Sequence, residues 1–181
     1  SKYLKMPTNL YFFKKSLKLI EDSNNMDRIA ETMKNMGICY RKINELNLAK
    51  KFLESALIIE SQIKYDYKKV YILHELAIVH LKLKNYEECY LLLEESRNII
   101  KVLGNKKELL LENDKIMSDY YLALNNYKQA FHFYRKYTNS NAEVFTSKKS
   151  EKLAEMRILY EAERRESEIK LLEQQHQLES Q

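Results

Sequence analysis

One motif of large and small side chains recurs along this chain at a nearly constant interval, and it limits the fold more than any other feature. The segments Ile43-Asn44-Glu45-Leu46-Asn47-Leu48-Ala49, Leu83-Lys84-Asn85-Tyr86-Glu87-Glu88-Cys89 and Leu124-Asn125-Asn126-Tyr127-Lys128-Gln129-Ala130 align with anchors 40 and 41 residues apart. Thirteen residues before each anchor stand Met36, Leu76 and Met117. Each is followed by a small residue (Gly37, Ala77, Ser118) and, three positions later, by Tyr40, His80 or Tyr121. After the anchors come Leu53 and Ala56, then Leu93 and Ser96, at helical spacing. A further 40 residues before Ala49 lies Asn9, with Phe13 and Ser16 in the downstream positions, so a half unit leads the array. A small residue in each of two helices lets the pair approach closely. Such a pair cannot bury its apolar faces alone and must stack on its neighbours.

Turn chemistry agrees with a helical array. The chain has two glycines and one proline, too few for the tight turns of a sheet protein. Breaks fall at Ser23-Asn24-Asn25-Met26-Asp27, at Leu103-Gly104-Asn105, where glycine suits a helix C-terminus, and across Tyr137–Glu143. There Ser140 and Glu143 form a capping-box pattern that starts a new helix.

Over residues 8–137 this spacing resembles the tetratricopeptide repeat. The resemblance implies an all-α, tetratricopeptide-like helical-hairpin solenoid with repeats of about 40 residues, followed by a long C-terminal helix or coiled coil. It divides the chain into an array over 1–140, with a half repeat at 8–22 and repeats at about 30–63, 70–103 and 111–138, and a capping helix over 141–181. Some features depart from the family pattern. Met33, Leu73 and Asp114 replace the usual tryptophan, the unit-ending proline is missing, and Tyr137 occupies a small-residue position. The period exceeds the usual 34 residues, which adds about two helical turns to each unit.

From Asn141 to Gln181 no helix breaker occurs, which predicts one helix of roughly 60 Å. Val144, Phe145, Leu153, Met156 and Tyr160 form a stripe expected to cover the open flank of the last repeat. Further on, Ile158, Ala162, Arg165, Ile169, Leu172 and His176 follow the alternating four- and three-residue steps of a coiled-coil seam. Glu161–Arg165 and Glu166–Lys170 are supportive pairs one helical turn apart. The run Lys148–Met156, with Tyr160–Glu163 and Glu168–Leu172, resembles the linker that follows repeat arrays in bacterial signalling proteins. In that family the array is a sensory input, and the linker leads to a histidine kinase, diguanylate cyclase or DNA-binding output. The resemblance thus implies homodimerisation through this helix and a signal carried along it.

Charge and composition narrow the function class. The net charge of +5 divides into 26 basic against 18 acidic residues over 1–150, and 5 against 8 over 151–181. No basic run exceeds two residues, whereas a nucleic-acid binder concentrates its charge on one element. No nucleic-acid partner is expected. Cys39 and Cys89 fall within helical patterns and read as small core residues. His74 and His80 are six residues apart and fall on different helix faces, unlike a ligand pair. His80 occupies the aromatic motif position and is expected between helices. With no phosphate loop and no nucleophile elbow, the chain is expected to be no enzyme and to hold no metal or cofactor. No apolar run is long enough to span a membrane. The chain begins without Met and with a half repeat, so it reads as a segment of a longer protein, cytoplasmic or, if a membrane helix follows, periplasmic.

What remains is a binding groove. In this architecture the first helix of each pair lines the inner face. The register places Lys34, Asn35, Ile38, Arg41 and Lys42 there from one unit, Tyr71, His74, Glu75, Ile78 and Lys82 from the next, and Lys115 and Asp119 from the last. This mixture suits an extended peptide with an acidic group, so the partner is expected to be a protein or peptide. A free-standing scaffold or adaptor is the alternative, as is a peptide-pheromone receptor.

Overall fold

The computed structural model describes residue 15 and residues 25–62, 67–139 and 147–179. Among them are seven helices and no strand: α1 Met26–Lys42, α2 Leu46–Glu60, α3 Tyr67–Lys82, α4 Tyr86–Val102, α5 Lys107–Ala123, α6 Tyr127–Asn139 and α7 Ser147–Glu179. The chain is all-α, with helical hairpins repeating about every 40 residues and a long last helix. The half repeat expected over 8–22 lies, Lys15 apart, outside the described residues, as do Val144, Phe145 and the Ser140–Glu143 capping pattern. By compactness the chain divides into two units, Ser1–Ile116 and Met117–Gln181, so the division falls within α5.

Each hairpin turns by the same device. Asn44, Lys84 and Asn125 occupy equivalent motif positions and all adopt left-handed backbone, with φ of 65°, 62° and 57°. The amide after each reaches back five residues: Glu45 N–H to Tyr40 O, Asn85 N–H to His80 O and Asn126 N–H to Tyr121 O, each 2.9 Å. Carbonyls orphaned at the end of the first helix are thereby satisfied. Gly104 and Asn105 end α4 in the same way, with Asn105 N–H donating to Ile100 O at 2.9 Å. At the other helix ends, Asn25 Oδ1 accepts from Arg28 N–H and Asn126 Oδ1 from Gln129 N–H, both at 3.1 Å.

In the first unit the small motif residues sit where α1 meets α2 and α3 meets α4. A methyl group on Gly37 would stand 2.5 Å from Leu53 Cγ and 3.2 Å from the Ala49 carbonyl oxygen, so only glycine fits. Ala49, Leu53, Ala56, Ala77, Cys89 and Leu93 are all fully buried. Met36, Tyr40, Ile72, Leu76 and Val79 join α1, α2 and α3 in one core cluster. Val70, Leu73, Ile99, Ile100 and Leu109 join α3, α4 and the first half of α5 in another. Each large apolar side chain removed from water in this way contributes about 1.5–3 kcal/mol.

Aromatic stacking shows the repeat again. Tyr40 stacks on Phe52 with centroids 5.3 Å apart. In the second unit Tyr121 stacks on Phe133 at 5.5 Å, with both residues at the equivalent positions. The middle repeat has His80 and Leu92 in those places. His80 is accordingly buried, as its motif position predicts.

Within the second unit, Ala130 and Tyr134 of α6 pack with Met156 of α7 in a core that includes Leu153. Ser118 Oγ donates to Ala130 O at 3.0 Å. Phe131 stacks on Tyr160, and Lys152 donates to Asp119 Oδ1 at 2.9 Å. The stripe Leu153, Met156 and Tyr160 therefore packs against α6, the role expected of it. Over its described bounds Ser147–Glu179 the helix has 33 residues and is about 50 Å long; the rest of the expected span 141–181 lies outside the described residues.

Candidate peptide-binding cleft

The first unit carries an open cleft of about 370 Å³ built from the first helices of three successive hairpins. Lys34, Asn35 and Ile38 come from α1, Tyr71, His74, Glu75 and Ile78 from α3, and Glu108 and Glu112 from the first half of α5. The 40-residue period sets this convergence. Lys34 and His74 share one motif position, and Ile38 and Ile78 share another.

Seven of the twelve groove residues expected from the sequence line this cleft. Arg41 does not line it but braces its wall: Arg41 Nε donates to Glu75 Oε2 at 2.6 Å, linking α1 to α3 with both side chains mostly buried. Lys42 and Lys82 are exposed at the ends of α1 and α3 and lie outside the cleft. Lys115 also lies outside and pairs with Glu112 at 3.2 Å. Asp119 belongs to the second unit, where it is held by Lys152.

Glu108 and Glu112 are lining residues that the sequence reading missed. A signal for Glu112 existed, since it stands 41 residues after Tyr71 at the same motif position. Glu108 lies one helical turn earlier on the same face. They change the electrostatics: the lining holds one cation, Lys34, against three carboxylates, Glu75, Glu108 and Glu112. Glu75 is neutralised by Arg41, Glu112 is paired with Lys115, and Lys34 lies 3.8 Å from Glu31. Glu108 is exposed.

His74 is the unusual member of the lining. It is 2 % exposed, and among the described residues neither ring nitrogen has a hydrogen-bond partner. Burial lowers its pKa to about 4, so the imidazole is neutral near pH 7. A neutral imidazole offers one donor and one acceptor. Leaving both unmade in a buried place costs stability. Tyr71 beside it is 43 % exposed, a large ring open to a ligand.

The seam residues of α7 are all exposed: Ile158, Ala162, Arg165, Ile169, Leu172 and His176. Ile158, Ile169 and Leu172 expose more than half of their surface. Glu166 and Glu173 flank the seam on one side, Glu161 and Glu168 on the other. Arg157–Glu161 at 2.9 Å and Lys170–Glu166 at 2.8 Å are paired along the helix surface. The expected Glu161–Arg165 pair is replaced by Arg157–Glu161, which likewise spans one turn.

Among the described residues no group of three His, Cys, Asp or Glu side chains is placed to hold a metal ion, and no helix is long and apolar enough to cross a membrane. Cys39 and Cys89 are free thiols. No protein-family model and no curated protein sequence matches the chain.

Proposed function

We propose that the chain is a non-catalytic, tetratricopeptide-like module that binds a segment of a protein or peptide in the cleft of its first unit. The carrying observation is the convergence of three first helices on one open cleft, lined among others by a buried imidazole whose nitrogens have no partner among the described residues. Half-buried Ile38 and Ile78 supply apolar contact there, and Tyr71, Asn35 and the carboxylates supply orientation, the usual division of labour in a binding site.

The module serves as the regulatory or sensory segment of a bacterial signal-transduction protein, and α7 is the element through which binding reaches an output domain. An exposed apolar seam supports pairing of two α7 helices. Its flanks weaken that pairing: in a parallel pair Glu161 of one copy meets Glu166 of the other, and Glu168 meets Glu173. Such a seam pairs only when the rest of a parent protein holds two copies close, which raises their effective concentration. It can therefore be switched. Light scattering on the chain with and without residues 161–181, at low and high salt, tests this. A salt-strengthened dimer that truncation converts to monomer supports the signalling reading, because salt screens the glutamates. A monomer throughout favours a scaffold or adaptor in which α7 only caps α6, the reading that the packing of Met156 and Tyr160 supports.

A further inference from the structure

Resting on the peptide-binding reading, we propose that the cleft selects a basic segment, with an arginine or lysine side chain placed between Tyr71 and the carboxylates of Glu108 and Glu112. An acidic group, the ligand feature that the residue mixture alone suggested, would meet two glutamates at the α5 wall.

Three observations carry this. First, the cations near the cleft are engaged. Arg41 is bound to Glu75 at 2.6 Å, Lys115 to Glu112 at 3.2 Å, and Lys34 lies 3.8 Å from Glu31. Glu108 has no ion pair among the described residues and is open to solvent, so the unspent charge of the lining is negative. Second, the neighbouring aromatic surface already receives a cation: Lys106 Nζ lies 5.5 Å from the centroid of the Tyr67 ring, and Tyr67 meets Tyr71 edge to face. Tyr71 offers the same kind of platform, and a guanidinium can stack on such a ring while donating to a carboxylate. Third, His74 in the same lining has no ring-nitrogen partner among the described residues. The ring is buried and neutral, so it does not repel a cation in the cleft.

The test is an NMR titration of the isotopically labelled full chain. The probes are the blocked pentapeptide acetyl-Leu-Ala-Arg-Ala-Leu-amide, its glutamate counterpart, and spermidine as a small cation. The expected result is saturable movement of the Ile38, His74, Ile78 and Glu112 amides and of the His74 ring nitrogens with the arginine peptide alone. The Glu108→Lys/Glu112→Lys variant, altered only in exposed or half-exposed side chains, should bind that peptide about tenfold more weakly, as two exposed charge contacts warrant. Its circular dichroism melt confirms the fold. Equal or tighter binding of the glutamate peptide, or arginine-peptide binding untouched by charge reversal, overturns the basic preference while leaving a peptide site. Shifts reproduced by spermidine would make this a general cation site. No shift of cleft amides by either peptide would sink the peptide reading itself.

Discussion

Arg97 Nη2 donates to Asp114 Oδ1 at 2.6 Å, across α4 and α5, at the repeat positions that Leu57 and Leu73 hold between α2 and α3. Two residues that pack in an apolar cluster at one junction have thus become an ion pair at the next. Asn113, fully buried, completes the exchange by accepting from Arg97 and donating to Leu93 O and Ser96 Oγ. The acidic side chain of Asp114, at the position where the other repeats have Met33 and Leu73, has its physical reason here.

Breaking this pair from one side leaves its partner partly buried without compensation. Arg97→Leu or Asp114→Leu alone should therefore lower unfolding stability by about 1–3 kcal/mol in urea denaturation. The double Leu variant rebuilds the chemistry of the preceding junction and should recover most of the loss, since apolar replacement of a buried ion pair is often neutral. A double variant as weak as the sum of the singles would contradict the repeat equivalence.

Gly37→Ala should destabilise in spite of alanine's better helix propensity. Propensity favours alanine by about 1 kcal/mol, but the new methyl overlaps Leu53 Cγ and presses the Ala49 carbonyl, which cannot move without shifting α2. A net loss of about 1–2 kcal/mol is expected, within the range for overpacking. Ala49→Leu, on the other side of the same contact, should cost at least as much. A neutral melt for either variant would mean that the register is wrong.

Lys84 adopts φ of 62° where the equivalent positions use asparagine. Left-handed backbone strains a lysine more than an asparagine or glycine. Lys84→Asn should raise stability by about 0.5 kcal/mol without altering the hairpin, read as a higher melting temperature.

His74 makes stability depend on pH. The folded chain holds it neutral down to about pH 4, whereas the unfolded chain takes up a proton near pH 6.5. Stability is therefore full above about pH 6.5 and falls as pH drops toward 4, by at most about 3 kcal/mol. His80, lowered by burial and by Lys50 against opposing Glu88 and Glu54, contributes in the same direction. His74→Leu should remove most of the acid-side slope in urea midpoints taken from pH 4 to 7. An unchanged slope would locate the proton uptake elsewhere.

Burial raises the Cys89 thiol to about 12, so it should resist iodoacetamide at pH 8 until the chain unfolds. Cys39, only half-buried, should label faster. Equal labelling rates for the two thiols would show that the α3–α4 contact opens readily.

The fold was legible because its cause is periodic. Gly37, Ala77 and Ser118, set against Ala49, Cys89 and Ala130, mark each close helix approach, and Asn44 and Asn125 mark the turns between. The cleft was legible to the extent that it repeats: seven lining residues follow from the register of α1 and α3. Glu108 was hidden because it lies before the motif begins. Lys42 and Lys82 were placed in the cleft because a helical register records the face but not where along the helix a cleft ends. Partner contacts such as Arg41–Glu75 or Arg97–Asp114 join residues of different helices, and no spacing within one helix displays them.

Where a bound ligand sits distinguishes the cleft from every other face of the module. A peptide enriched from a random library on the full chain would be measured by isothermal titration against wild type, Ile78→Arg and Tyr90→Arg. Ile78 lines the cleft, whereas Tyr90 is an exposed residue of α4 outside it. Loss of binding with Ile78→Arg and unchanged affinity with Tyr90→Arg is the predicted result. Undiminished binding to Ile78→Arg would place the ligand on another face of the module.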